Sequence, residues 1–78
     1  TVVIRFAPRF ADFVREKKWH PSQTLRDLAK GGVELSLKLS SLVEIERWIL
    51  SWGGDAKVVK PQELVAAIRK AAEAIMAA

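Results

Sequence analysis

Residues 33–39 alternate without a break: Val33, Leu35, Leu37 and Leu39 are apolar, and Glu34, Ser36 and Lys38 between them are polar. Successive side chains of a strand point to opposite faces, so a period-two run of this length dictates a strand with one buried face and one wet face. A helix would scatter the same leucines around its circumference. Such a strand needs neighbouring strands for its backbone groups and a second layer for its apolar face.

The flanking residues supply both. Val2-Val3-Ile4-Arg5-Phe6 is rich in β-branched residues and reads as a strand with Val2, Ile4 and Phe6 on one face. Pro8 suits the first turn of a helix running to about residue 18, with Phe10, Val14 and Lys17 on one stripe and Ala11 and Phe13 beside it. Pro21 bars its continuation, because the residue before a proline is driven out of the helical region. Residues 23–29 form a second strand, joined to the alternating one by Lys30-Gly31-Gly32, where a tight hairpin needs positive φ.

Ser41-Leu42-Val43-Glu44 matches a capping box, in which the serine hydroxyl and the glutamate satisfy orphan amides reciprocally. The helix that follows carries Leu42, Ile45, Trp48, Ile49 and Trp52 at helical spacing, and Gly53-Gly54 ends it. Residues 56–59 are a short fourth strand. Pro61 opens a last helix with Leu64, Val65, Ile68, Ala71, Ala72 and Ile75 as its stripe, and the alanine-rich tail from Ala66 is expected to fray. The order predicts an α+β fold: a ferredoxin-like two-layer sandwich, βαββαβ plus a C-terminal helix, with an antiparallel sheet and helices on one face. Leu35, Leu37, Trp48, Ile49 and Trp52 are its expected core.

Composition narrows function by exclusion. A chain of 78 residues is expected to be one domain over 1–78. It has no cysteine and one histidine, so thiolate zinc, disulfides and multi-histidine metal sites are excluded, and neither a metal nor a cofactor is expected. No apolar run approaches the ~20 residues of a membrane span, so a cytoplasmic location without membrane contact is expected. The chain starts at Thr1 and not at Met, which suggests a piece excised from a longer protein. Thirteen basic against nine acidic residues give a net charge of +4. The basic residues are spread along the chain, which favours a mildly basic solvated surface over a dedicated nucleic-acid patch.

All three tryptophans and the only histidine fall in Trp19-His20-Pro21-Ser22-Gln23 and Trp48-Ile49-Leu50-Ser51-Trp52-Gly53. Together with Val3-Ile4-Arg5-Phe6, the Gly31-Gly32 hairpin and Val58-Val59-Lys60-Pro61-Gln62-Glu63-Leu64, they occur in an order that resembles the WCX domain. That domain is the C-terminal extension of WYL-domain transcriptional regulators, and the likeness runs from Val2 to about Ala72. Lys30-Gly31-Gly32 departs from the Asp-Gly pair often found in the family. The resemblance implies a bacterial regulator with an N-terminal winged helix-turn-helix, a central WYL domain and this domain last. Its implied partners are a WYL domain of the same or a second subunit, a second copy in a homodimer, DNA through the N-terminal domain, and a nucleic-acid or small-molecule effector.

No catalytic set emerges, since a lone histidine without a positioned carboxylate or nucleophile is poor acid–base machinery. Trp19, His20, Ser22 and Gln23 are the candidate partner or ligand contacts, with Arg5 and Arg26 as charged helpers. Trp is favoured at interfaces and aromatic faces stack bases. The competing reading has Trp19 covering the end of the first helix and His20 bonded to nearby backbone. Trp48 and Trp52, four apart on a helix, read as core. Two other functions stay open: a ferredoxin-like small-ligand-binding regulatory domain, and a single-stranded nucleic-acid-binding module. Against the second, the sheet lacks the exposed aromatics of an RNA-recognition surface.

Overall fold

The computed structural model describes residues 1–77. The alternating segment forms β3, Val33–Leu37, at the middle of the sheet. It pairs antiparallel with β1, Val2–Phe6, and with the edge strand β2, Thr24–Asp27. β4, Ala56–Lys60, pairs antiparallel with the other side of β1, giving the order β2-β3-β1-β4. The fold is α+β, with a four-stranded antiparallel sheet and three helices: α1, Pro8–Glu16; α2, Val43–Leu50; and α3, Gln62–Ala77. No helix among the described residues is long and apolar enough to cross a membrane.

The register sorts side chains by face. Ile4 stands opposite Leu35, Phe6 opposite Val33 and Val2 opposite Leu37, so one face of β1 and β3 is wholly apolar. These six residues, with Ala11 and Val14 of α1, Ile49 of α2 and Leu64 of α3, are at most 2% exposed and form the core. Full burial of each large aliphatic or aromatic side chain contributes roughly 1.5–3 kcal/mol. The opposite face carries Arg5, Glu34 and Arg26 in one row.

Several elements end earlier than the sequence pattern suggests. α1 stops at Glu16 because Lys17 is already extended, and its carbonyl is taken by Gln23. Lys17 leaves the apolar stripe; its ammonium lies 4.5 Å from the centre of the Phe13 ring instead. β2 covers 24–27 and not 23–29: Leu28 and Gly32 already bond across the turn, and Gln23 belongs to the preceding loop. β3 ends at Leu37 because its partner β1 begins at Val2. Only Gly31 in the hairpin has positive φ, +92°, while Gly32 is needed because a Cβ there would lie 2.7 Å from the Phe6 carbonyl oxygen.

The capping box does not form. Leu42 is the N-cap of α2 without a side-chain bond, and the Ser41 hydroxyl is 3.5 Å from the Val43 amide. α2 ends at Leu50, so Trp52 lies beyond the helix, before a short 3-10 turn, Gly53–Asp55. Gly53, at φ +60°, takes the left-handed conformation there. β4 runs one residue further than expected, through a register shift opposite Val3 and Ile4. Pro61 precedes α3, and its carbonyl accepts the Leu64 and Val65 amides. The tail expected to fray is helical to Ala77. At 16 residues α3 is about 24 Å long and outruns the layer beneath it, which leaves Ile75 66% and Met76 85% exposed.

Candidate contact site

The link between α1 and β2 is held by its own side chains. Gln23 Oε1 accepts the backbone N–H groups of Trp19 and His20, and its Nε2 donates to the Lys17 carbonyl at 3.2 Å. The Gln23 amide donates to the His20 carbonyl at 3.1 Å, closing the turn across Pro21. Trp19 Nε1 donates to the Val14 carbonyl at 3.1 Å, satisfying an acceptor in the last turn of α1.

His20 Nδ1 accepts the Ser22 amide at 3.1 Å and lies 2.7 Å from Ser22 Oγ. An accepting Nδ1 puts the proton of the neutral ring on Nε2. Ser22 Oγ also accepts the Lys38 amide at 2.9 Å and sits 3.3 Å from the Lys38 carbonyl. One hydroxyl thus ties the loop to the residue after β3 and continues the β2–β3 pairing beyond the start of β2. The Ser22–His20 distance is that of a nucleophile and its base, but the geometry is that of a turn. Ser22 Oγ is engaged by the Lys38 backbone, and Nδ1 is engaged by the Ser22 amide.

Trp19, His20, Ser22 and Gln23 therefore act together, as a half-buried and internally bonded loop. Arg5 and Arg26 do not join them. They lie on the opposite face of the sheet, where both hold Glu34: Arg26 through Nε at 3.2 Å and Nη2 at 3.0 Å, Arg5 through Nε at 2.9 Å. These bonds, from Arg26 first and then Arg5, hold the Glu34 carboxyl below its ordinary value. The loop lies beside Leu37 and Trp48 on the core side, whereas Arg5 and Arg26 are the cross-strand neighbours of Glu34 on the other face.

Of the expected core, Leu35, Leu37 and Ile49 are buried, whereas Trp48 and Trp52 are half-buried and pack against it. Trp52 is the hub of an aromatic cluster. Its ring centre lies 5.1 Å from Phe6, 5.6 Å from Phe10, 5.8 Å from Phe13, 6.2 Å from Trp19 and 5.7 Å from Trp48. All five contacts are edge-to-face, an arrangement worth about 0.5–1.5 kcal/mol per pair beyond buried area. The Trp52 Nε1–H is buried without a partner among the described residues.

Trp19 and Trp48 meet at 5.1 Å and 56°. With His20, Leu37, Leu39, Ser41, Glu44 and Ile45 they line a surface cavity of about 230 Å³. Sequence reading placed Leu39 in the strand and Ser41 and Glu44 in the cap, so it missed their part in this wall. The available signal was the Ser-x-x-Glu spacing itself, which sets both polar side chains beside Trp48, one turn along the same helix.

The sequence model of the WCX domain matches residues 1–76, nearly the whole chain. No curated protein matches it. The ordered strands, the hairpin, the Trp19 loop and the two later tryptophans all fall within the matched span, and the chain belongs to the WCX domain family.

Proposed function

We propose that this domain is the C-terminal regulatory and oligomerisation module of a WYL-type bacterial transcriptional regulator, acting by interdomain contact and not by catalysis. Membership of the WCX family supports the association with such regulators. The single observation that carries the contact role is the 19–23 loop. It is half-exposed, yet its backbone is held by the side chains of Ser22 and Gln23, so its shape precedes any partner. Preorganisation of this kind lowers the entropic cost of association. The order β2-β3-β1-β4 favours the ferredoxin-like arrangement, whose second layer presents this loop beside α2.

In this reading the loop meets the WYL domain of its own or a second subunit within a homodimer. An effector shifts the geometry between protomers, and DNA-binding domains at the other end respond. The test uses the full-length regulator with His20→Ala and Trp19→Phe, each first shown to keep the wild-type melting temperature, because Trp19 also packs against the core. Weakened dimerisation or an altered operator response is expected; wild-type behaviour in both assays refutes the proposal.

A second reading, a small-ligand regulatory domain, is favoured by the cavity between Trp19 and Trp48. It predicts saturable stabilisation of the isolated chain in a thermal-shift screen.

A further inference from the structure

The cavity at the Trp19–Trp48 pair has a chemical bias opposite to that of the whole molecule. The chain carries a net charge of +4, with 13 Lys and Arg residues. None of those cations lines the cavity; its one charged side chain is Glu44. Among the described residues no hydrogen bond or ion pair engages that carboxylate, since the capping box that would have used it does not form. The helix N-terminus nearby brings a partial positive charge of about half a unit, but Glu44 and Glu46 in the first turn of α2 outweigh it.

The remaining walls are aromatic and aliphatic. Two indole rings tilted at 56° offer π-faces, and Leu37, Leu39 and Ile45 offer a surface for an apolar stem. Indole faces attract cations, most strongly where water is displaced. The same chemistry operates within the chain at Trp19, where Lys17 Nζ lies 5.5 Å from the ring centre although it does not line the cavity. At about 230 Å³ the space falls below the ~300–1,000 Å³ of drug-sized sites and suits a single side chain or a fragment.

We propose that the cavity is a binding site for an alkylguanidinium group, its plane stacked on one indole of the tilted Trp19–Trp48 pair with its edge toward the other, its N–H fork on the Glu44 carboxylate, and its stem on Leu37, Leu39 and Ile45. A guanidinium is preferred to an ammonium because it is planar, weakly hydrated and matched to a carboxylate in a bidentate fashion. The group is supplied by an arginine side chain or by a free guanidine. The inference rests on the contact reading of the 19–23 loop only in sharing Trp19 and His20 with it, and it names what that contact would take.

The test is titration of the isolated chain, followed by tryptophan emission, with three probes of one shape and different heads: N-butylguanidinium, neutral N-butylurea and anionic valerate. Saturable binding of N-butylguanidinium is expected, at least about tenfold tighter than N-butylurea, with no saturable signal for valerate. Glu44→Gln cuts the preference for the cation over the urea at least severalfold, leaving the part supplied by the indole faces. Glu46→Gln, outside the cavity, preserves the full preference. Equal affinity for cation and urea, a preference that Glu44→Gln leaves undiminished, or no saturable signal with N-butylguanidinium overturns the proposal. An acetylated, amidated Gly-Arg-Gly peptide separates the sources: binding as tight as the free probe assigns the site to a protein arginine, and its failure beside a binding free probe assigns it to a small guanidine. Because this readout involves no second domain, loss of the regulator's response in the Trp19 and His20 variants and loss of guanidinium binding here are separate outcomes.

Discussion

Gln23→Ala isolates the step that turns a link between two elements into a fixed surface. The substitution removes the acceptor for the Trp19 and His20 amides and the donor to the Lys17 carbonyl. Trp19 and His20 are half-buried, so their amides are not freely rehydrated, whereas Lys17 is exposed and water replaces its bond at small cost. Two such bonds at about 1 kcal/mol each give a loss of about 2 kcal/mol. For a chain this short, that lowers Tm by roughly 8–16 °C. Gln23→Glu keeps both accepted bonds but turns a carboxylate oxygen toward the exposed Lys17 carbonyl, where water separates the two acceptors, so it costs about 1 kcal/mol, less than Gln23→Ala. Urea denaturation followed by far-ultraviolet circular dichroism measures both variants at fixed pH. A loss below about 0.5 kcal/mol for Gln23→Ala, or equal losses for the two variants, refutes the claim that this one side chain holds the loop.

Three further outcomes are expected. Glu34 has a folded-state value below the ordinary 4.5, so its pairing with Arg26 and Arg5 contributes stability that is fully present above pH 4.5 and is lost as pH falls through the folded value. Arg26→Ala moves the Glu34 titration midpoint upward in a carboxyl-carbon NMR titration, and an unmoved midpoint contradicts the assignment. Gly32→Ala brings a Cβ to 2.7 Å from the Phe6 carbonyl oxygen and costs about 1–3 kcal/mol as the hairpin shifts away from β1, so an unchanged melting temperature would be decisive against it. Ser41→Ala costs less than about 0.5 kcal/mol, whereas removal of a working serine N-cap costs about 0.5–2; a loss in that higher range would show that the cap exists in solution.

The fold class was legible because its signals are local and periodic. The alternation of residues 33–39 identified β3, and the β-branched run at Val2 identified β1. What the sequence could not show was competition between neighbouring groups. Lys17 looks helical until Gln23 captures its carbonyl, and Ser41 looks like a cap until the helix starts one residue later. The lengths of β2 and β3 were overestimated for the same reason: apolar pattern says which residues prefer burial, while the reach of the partner strand says where pairing stops. The four candidate loop residues Trp19, His20, Ser22 and Gln23 came out adjacent because they are adjacent in sequence. Arg5 and Arg26 came out elsewhere, since face assignment on β1 and β2 depends on register and register is weakly written in sequence. The cavity joins residues from the loop, from the end of β3 and from α2, so no local window contained it.

The aromatic hub at Trp52 also bears on the order of folding. Its partners Phe6, Phe10 and Phe13 lie far back along the chain, so the rings meet only after the first crossover, the hairpin and α2 have all been brought back onto β1. Loop closure over such separations costs entropy before any ring contact rewards it, and contacts of this kind slow a folding reaction. Tryptophan emission in a refolding experiment therefore reports the return of the Trp48–Trp52 segment onto β1 and α1, while circular dichroism registers the helices as they form.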